Sequence, residues 1–157
     1  MALDKLYQQL VLDHNRAPRN FGSLPGATHS ARGRDALCGD DILVELIVEG
    51  DRIERAAFSG EACAITTASA SMLTEWLAGR EVDGIADAFE RFEQVLAEPD
   101  GPPCPELGDI NELRSIDSML PVNPPCANLR QIRRFSGVVR RLPGRAYAPA
   151  RRRLPWC

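Results

Sequence analysis

The sequence predicts an α+β fold in which a small antiparallel sheet packs against helices. Two segments, 42–48 and 52–58, are rich in β-branched and apolar residues and are separated by the turn-forming residues 49–51. Helical periodicity is present before these segments and again after them. The strands therefore precede most of the helices, an order typical of α+β domains. With 157 residues, the chain is long enough for one domain with a buried core.

An amphipathic helix is predicted at the N-terminus. Its apolar residues recur at helical spacing and are Leu3, Leu6, Tyr7, Leu10 and Val11. The helix is expected to run to about Asn15, because Pro18 and Gly22 interrupt the pattern. A loop containing glycine, proline and serine then extends to about residue 33.

A β-hairpin is the next predicted element. Residues 42–48 read ILVELIV, and an alternating segment at 52–58 follows the turn. Ser59-Gly60 is expected to end the second strand. Because an isolated two-stranded hairpin is only marginally stable, a third strand is expected from residues 26–36.

Further helices are predicted after the hairpin. The first covers residues 64–78 and ends at Gly79, and the second covers residues 83–97. A short helix is expected at 107–118, followed by a proline-rich turn and a helix from about Ala127. The aromatic residues expected in the core are Trp76, Phe89 and Phe92.

The C-terminal part of the chain differs in charge from the rest. All 22 acidic residues and ten basic residues lie in 1–117, which gives that part a net charge of −12. Residues 118–157 contain nine arginines and no acidic residue. We expect one folded domain over 1–142 and a basic, mobile tail over 143–157. Such a tail either meets an anionic partner or folds back on the acidic body.

The composition favours a cytoplasmic protein. No apolar run is long enough to span a membrane, and the N-terminus begins its amphipathic pattern without the apolar segment of a signal peptide. The five cysteines are then expected to be reduced, and to bind metal, act in catalysis or be buried. No membrane and no nucleic acid is expected as a partner, because the body is acidic and the basic tail has few aromatic residues.

The segment Cys38-Gly39-Asp40 is a candidate half of a metal site. Residues i and i+2 of an extended strand point to the same side, and Gly39 lets the backbone turn or lie close to an ion. The hairpin then returns the chain, so that Cys63 can lie beside Cys38. Cys63 is at the predicted start of a helix, whose dipole favours a thiolate. Cys126 is a third candidate sulfur ligand.

Cys38, Asp40, Cys63 and Cys126 together would form a Cys₃Asp set. Zinc binds ligands of this kind tetrahedrally. Iron–sulfur clusters also bind thiolates, and a harder ligand in place of one thiolate makes a cluster more labile. From spacing alone, the alternative that these are only small buried cysteines stays open.

Other candidate residues are given structural roles. His14 is expected to be a capping or surface histidine near the end of the first helix. Cys104 lies between two prolines and is expected to be exposed. The small residues at 68–71, ASAS, are expected to allow close helix packing, and no histidine partner for a catalytic serine is apparent.

Several motifs in the N-terminal half match a family pattern. They span about residues 3–79 and are LYQ at 6–8, DHNRAPRN at 13–20, LCGD at 37–40, FSGEACAI at 58–65 and ASASMLT at 68–74. These motifs resemble the NifU/IscU family of iron–sulfur cluster assembly proteins. The long segment between Cys63 and Cys126, with LGDI at 107–110, resembles the SufU branch of that family.

The resemblance implies a SufE/NifU-like fold and a role in iron–sulfur cluster assembly. It implies a zinc site of Cys38, Asp40, Cys63 and Cys126, with Cys38 accepting sulfur from the persulfide of a SufS-type cysteine desulfurase. Such a sulfurtransferase-like carrier would pass the sulfur to an apo-protein or a SufB-type scaffold. The same residues could instead assemble a labile [2Fe–2S] cluster. A third possibility is a binding module with a structural metal, whose basic tail docks an acidic partner.

The sequence departs from the family pattern at several positions. Asp35-Ala36 stand where Asn-Pro is usual, and Ala62 replaces the glycine before the second cysteine. The arginine-rich stretch replaces a tail with a tryptophan and acidic residues. Cys104 or Cys157 could therefore take the place of Cys126, or the site could have only three protein ligands.

Overall fold

The computed structural model describes residues 2–36, 39–98 and 101–115. These residues form helices α1–α3, strands β1–β3 and two 3₁₀ segments. In chain order the elements are α1 Ala2–Arg16, β1 His29–Asp35, β2 Asp40–Glu49, β3 Arg52–Glu61, α2 Ala64–Leu77, a 3₁₀ turn Val82–Gly84, α3 Ile85–Ala97 and a 3₁₀ segment Pro105–Ser115. The predicted α+β class is confirmed.

The strands form one antiparallel sheet in the order β1-β2-β3. The tight turn of the second hairpin pairs Glu49 with Arg52. Side chains of β2 alternate between buried and partly exposed positions, as expected for a strand with one face on the core. The buried positions include Asp40, Ile42, Val44 and Leu46. The predicted hairpin is confirmed, and β1 is the third strand expected from residues 26–36.

The predicted end of β3 at Ser59-Gly60 is wrong. The strand continues to Glu61, and Gly60 pairs with Ile42. Gly60 has a φ of 123°, and a Cβ atom at this position would lie 2.0 Å from the carbonyl oxygen of Asp41. Glycine is therefore required here because the two backbones approach closely, and it does not terminate the strand.

Helix α2 contacts α1, β3 and the 3₁₀ segment Pro105–Ser115. Its small residues Ala68, Ala70 and Ser71 have no exposed surface, which confirms the predicted close packing of this run. The helix and the inner face of the sheet contribute to one hydrophobic core. Large side chains with almost no exposed surface in that core include Leu46, Ile53, Phe58, Leu77, Ile85 and Leu107.

The later helices agree with the prediction except near residue 108. Residues predicted as helices at 64–78 and 83–97 form α2 and α3, the latter preceded by one 3₁₀ turn. The helix predicted at 107–118 is instead 3₁₀ in character and is kinked at Gly108, whose φ is 53° and ψ is −134°. Phe89 and Phe92 are buried as predicted, and Trp76 is partly buried with its ring 6.3 Å from that of Phe89.

Two side-chain predictions are wrong. His14 is only 2% exposed, because α1 places it against Ser71 of α2 and not at the surface. Cys104 is 1% exposed, and the side chain of Asn111 bonds both its backbone N–H and its carbonyl oxygen. Cys104 is also disulfide-bonded, so the expectation that the cysteines are reduced fails there, while Cys63 is free.

Some predictions fall outside the described residues. They concern the proline-rich turn, the helix from about Ala127, the domain boundary at 142 and the basic tail at 143–157. Among the residues that are described, no helix is both long enough and apolar enough to cross a membrane.

Candidate metal centre

The start of β2, the end of β3 and the start of α2 meet at one end of the strands of the sheet. The register pairs Asp41 with Glu61, so the chain leaving β3 passes next to Asp40. Cys63 follows as the N-cap residue of α2. The hairpin thereby brings together Asp40 and Cys63, which are 23 residues apart in the sequence.

Asp40 is a buried carboxylate with 4% of its surface exposed. Its Oδ1 atom accepts a hydrogen bond of 2.8 Å from the backbone N–H of Cys63. Its Oδ2 atom accepts one of 2.7 Å from the hydroxyl of Thr66. Because a carboxylate oxygen has two lone pairs, each oxygen retains capacity for a further partner.

Cys63 is a free, partly exposed cysteine that caps α2. Its sulfur accepts from the backbone N–H of Thr66 at 3.5 Å and lies 3.2 Å from the Thr66 hydroxyl oxygen. The unpaired N–H groups and the positive end of the helix dipole favour negative charge at this position. The predicted placement of Cys63 at a helix start is confirmed.

Asp41, the neighbour of Asp40, has a different environment. It points away from the core and forms ion pairs with Arg32 and Arg34 at 2.5 and 3.0 Å. The hydrogen bond from Arg32 is the main cause that lowers the pKa of the Asp41 carboxyl below its usual value. In the described part of the chain, no arginine or lysine pairs with Asp40 in this way. Asp41 is thus engaged by two cations, whereas the Asp40 oxygens accept hydrogen bonds from neutral donors in the described residues.

The structure brings together two of the four predicted ligands, Asp40 and Cys63. Cys38 and Cys126 lie outside the described residues, as does the alternative ligand Cys157. Within the described ranges, no group of three or more His, Cys, Asp or Glu side chains is arranged to hold a metal. The full Cys₃Asp set stays a prediction.

The two adjacent donors fit zinc chemically. One is a hard carboxylate oxygen and the other a soft sulfur, and zinc accepts both. Gly39 has a φ of 71°, in agreement with the predicted turn of the backbone just before Asp40. The alternative fourth ligand Cys104 fits poorly, since its sulfur is already in a disulfide.

Thr66 is a further polar residue of this candidate site, and it was not predicted from the sequence. It is 5% exposed and contacts both Asp40 and Cys63. A signal was present, because serine or threonine three residues after an N-cap lies on the first turn next to the capping side chain. The partner of its hydroxyl on β2 could not be derived from that spacing.

The chain matches a known protein family. A family model described as the NifU-like N-terminal domain matches residues 6–111. The chain belongs to this family. The resemblance to the NifU/IscU proteins is thereby confirmed, and similarity to a SufU protein, given next, confirms the SufU-like branch.

Two relatives of the NifU-like chain illustrate the range of the family. The zinc-dependent sulfurtransferase SufU of Bacillus subtilis is 34% identical over 127 residues, which cover 81% of this chain and 85% of the relative. The iron–sulfur cluster assembly scaffold protein IscU of Streptococcus pyogenes serotype M1 is 31% identical over 132 residues, and the match covers 82% of each chain.

Solved structures agree with the NifU-like fold. A crystal structure of a hypothetical protein has a TM-score of 0.72 and 28% identity, covering 88% of this chain and 99% of the other. A putative iron–sulfur cluster assembly scaffold protein for the SUF system from Fervidobacterium islandicum AW-1 has a TM-score of 0.68 and 20% identity, covering 86% and 97%. The second likeness shows the fold alone.

Proposed function

We propose that this chain is a SufU-like sulfur carrier in iron–sulfur cluster assembly. The observation that carries the proposal is the buried carboxylate of Asp40, which is bonded to the backbone of Cys63 at the start of α2. This pair supplies one oxygen and one sulfur, which is half of the predicted Cys₃Asp set. Similarity to the zinc-dependent SufU of Bacillus subtilis supports the same conclusion.

In this proposal, Cys38 and Cys126 complete the site with Asp40 and Cys63, and the metal is zinc. Zinc, when bound, would keep the cysteine sulfurs deprotonated at neutral pH. The chain itself contributes orientation: two hydrogen bonds fix the Asp40 carboxylate, and the N-terminus of α2 favours negative charge at Cys63.

Cys38 is the proposed sulfur acceptor. Its thiolate attacks the outer sulfur of a cysteine persulfide on the desulfurase. A new S–S bond forms at Cys38, the S–S bond on the enzyme breaks, and the enzyme cysteine leaves as a thiolate. The outer sulfur keeps its proton and its oxidation state, so the exchange needs no oxidant or reductant. The rate depends on the accessibility and thiolate fraction of Cys38.

The proposed donor is a SufS-type cysteine desulfurase. The proposed acceptors are an apo-protein or a SufB-type scaffold, and the proposed location is the cytoplasm. Neither a membrane nor a nucleic acid has a part in this reaction.

A desulfurase assay tests the proposal. The wild-type protein should accelerate alanine release from cysteine by the desulfurase, and mass spectrometry should show one added sulfur atom on Cys38. Cys38→Ala should show neither effect while remaining folded. Asp41→Ala is the control, since the Asp41 carboxylate is paired with Arg32 and Arg34 and has no role in the proposed transfer. Full stimulation by Cys38→Ala would contradict the proposed acceptor, and its unfolding with loss of metal would favour a structural metal instead.

A scaffold for a labile [2Fe–2S] cluster is the second candidate. The IscU relative from Streptococcus pyogenes favours it, because its match covers 82% of this chain and the SufU match covers 81%. Metal analysis of protein purified without oxygen separates the two functions. Tightly held zinc with desulfurase stimulation supports sulfur transfer, whereas a cluster that forms and passes to an apo-protein supports a scaffold.

A further inference from the structure

We propose that Thr66 is a positioning residue of the metal site, which fixes the Asp40 carboxylate relative to the Cys63 sulfur. The inference rests on the proposed function, because it assumes that these two residues bind a metal. The Thr66 hydroxyl oxygen lies 2.7 Å from Oδ2 of Asp40 and 3.2 Å from Sγ of Cys63. One side chain thus contacts both donors.

Thr66 supplies a separate hydrogen bond to each donor. A threonine hydroxyl has a single proton, and here that proton is donated to Oδ2 of Asp40. The sulfur of Cys63 receives the backbone N–H of Thr66 instead, at 3.5 Å. The carboxylate on β2 and the sulfur at the start of α2 are therefore both held by the same residue.

The Thr66 side chain is well suited to hold a fixed position. It is 5% exposed and lies in the first turn of α2, where a β-branched side chain has few rotamers. Two other hydroxyls of the helix donate to its own backbone: Ser69 bonds the carbonyl oxygen of Ile65, and Thr74 bonds that of Ala70. Thr66 instead donates across to the sheet, where Asp40 lies.

Loss of the hydroxyl should weaken metal binding without removing a ligand. Thr66→Val keeps the shape of the side chain but leaves Oδ2 of a buried carboxylate without its donor. Asp40 is then less well oriented before the metal arrives. Loss of a hydrogen-bond partner that orients a metal ligand typically lowers affinity by about 10- to 100-fold.

Zinc affinity, measured by competition with a chromophoric chelator, tests the inference. Thr66→Val should bind zinc about 10- to 100-fold more weakly than the wild type. Thr66→Ser retains the hydroxyl and should restore affinity to within a few-fold. The matched control is Thr67→Val, because the adjacent Thr67 hydroxyl is directed at the carbonyl oxygen of Ala62 and its loss should change nothing.

The outcomes separate this inference from the proposed function. Wild-type protein that binds no zinc contradicts both. If the wild-type protein binds zinc and folded Thr66→Val binds it with equal affinity, the proposed role of Thr66 is wrong and the proposed function is not affected. If Thr66→Val does not fold, Thr66→Ala removes the same hydroxyl with a smaller side chain. Should neither variant fold while Thr66→Ser does, the hydroxyl serves the fold and the proposed positioning role is wrong.

Discussion

Helix α2 contributes to two polar clusters that have different roles. The site cluster, at the N-terminal end of the helix, consists of Asp40, Cys63 and Thr66. The packing cluster, in the middle of the helix, consists of His14, Ser71 and Thr74. Both clusters contain polar atoms removed from water, but they differ in their balance of hydrogen-bond donors and acceptors.

Donors and acceptors are matched in the packing cluster. The Ser71 hydroxyl oxygen accepts the backbone N–H of Arg19 and lies 2.8 Å from Nδ1 of His14. Thr74 donates to the carbonyl oxygen of Ala70 and accepts from the side chain of Asn20. These hydrogen bonds link α1, and the segment that contains Arg19 and Asn20, to α2. Satisfied buried networks of this kind favour one packing arrangement.

Acceptors are in excess in the site cluster. Among the described residues, the carboxylate and the sulfur accept hydrogen bonds from the backbone N–H groups of Cys63 and Thr66 and from the Thr66 hydroxyl. In the described residues no basic side chain pairs with this carboxylate, whereas the partly exposed Asp41 pairs with two arginines. This excess of acceptors is what the proposed metal centre requires, because a cation would then supply the charge that no described basic side chain supplies.

Gly60→Ala should have the largest effect, because it disturbs the strand pair that carries the site cluster. The new Cβ atom would lie 2.0 Å from the Asp41 carbonyl oxygen, at a φ of 123°. Strain and overpacking together should lower the free energy of unfolding by about 3 kcal/mol. Urea unfolding measures the change. Gly33→Ala in β1 is the control, since its Cβ would meet open space, and equal stability of the two variants would refute the packing argument.

Ser71→Ala should break the packing cluster and leave the site cluster intact. The backbone N–H of Arg19 and Nδ1 of His14 both lose their partner, which should cost about 1–3 kcal/mol in the free energy of unfolding. Zinc affinity should stay at the wild-type value. Ser69→Ala is the control, because Ser69 bonds only a carbonyl oxygen of its own helix and its loss should cost less. A large fall in zinc affinity for Ser71→Ala would show that the two clusters are coupled.

The smallest predicted effect is a dependence of the packing cluster on pH. Burial, followed by the charge of Arg19, lowers the pKa of His14, and the carboxylates of Glu75, Asp109 and Asp13 oppose this in part. The unfolded chain therefore binds a proton more readily than the folded chain. The contribution of His14 to stability is complete above about pH 6.5 and is lost as the pH falls below it.

Unfolding free energies near pH 7.5 and pH 5.5 measure this effect across the pKa of an ordinary histidine, about 6.5. The wild type should lose more stability on acidification than His14→Gln, because glutamine does not titrate. Equal losses in the two proteins would mean that His14 is not held in its neutral form.

The parts of the fold that could be predicted from the sequence are those with local determinants. The strands and helices follow from periodicity within short windows. The juxtaposition of Asp40 and Cys63 follows from counting residues around one hairpin, because the two strands have equal length. The role of Thr66 could not be found in this way, since it depends on which face of α2 is turned toward β2.

The wrong predictions share a physical cause, which is that each applied a local rule without its tertiary partner. Gly60 usually signals a strand end, but here it permits a close backbone approach. His14 near a helix end usually faces solvent, but here Ser71 provides it with a buried partner. Cys104 between prolines usually lies at the surface, but Asn111 holds its backbone inside.

Zinc K-edge X-ray absorption of the zinc-loaded protein shows directly whether Asp40 and Cys63 bind the metal. If they do, we expect sulfur neighbours at about 2.3 Å together with one oxygen at about 2.0–2.2 Å. That oxygen should change in Asp40→Ala and remain in Asp41→Ala, whose carboxylate is paired with arginines. A spectrum without sulfur neighbours, or one that Asp40→Ala leaves unchanged, would contradict a metal centre built on Asp40 and Cys63.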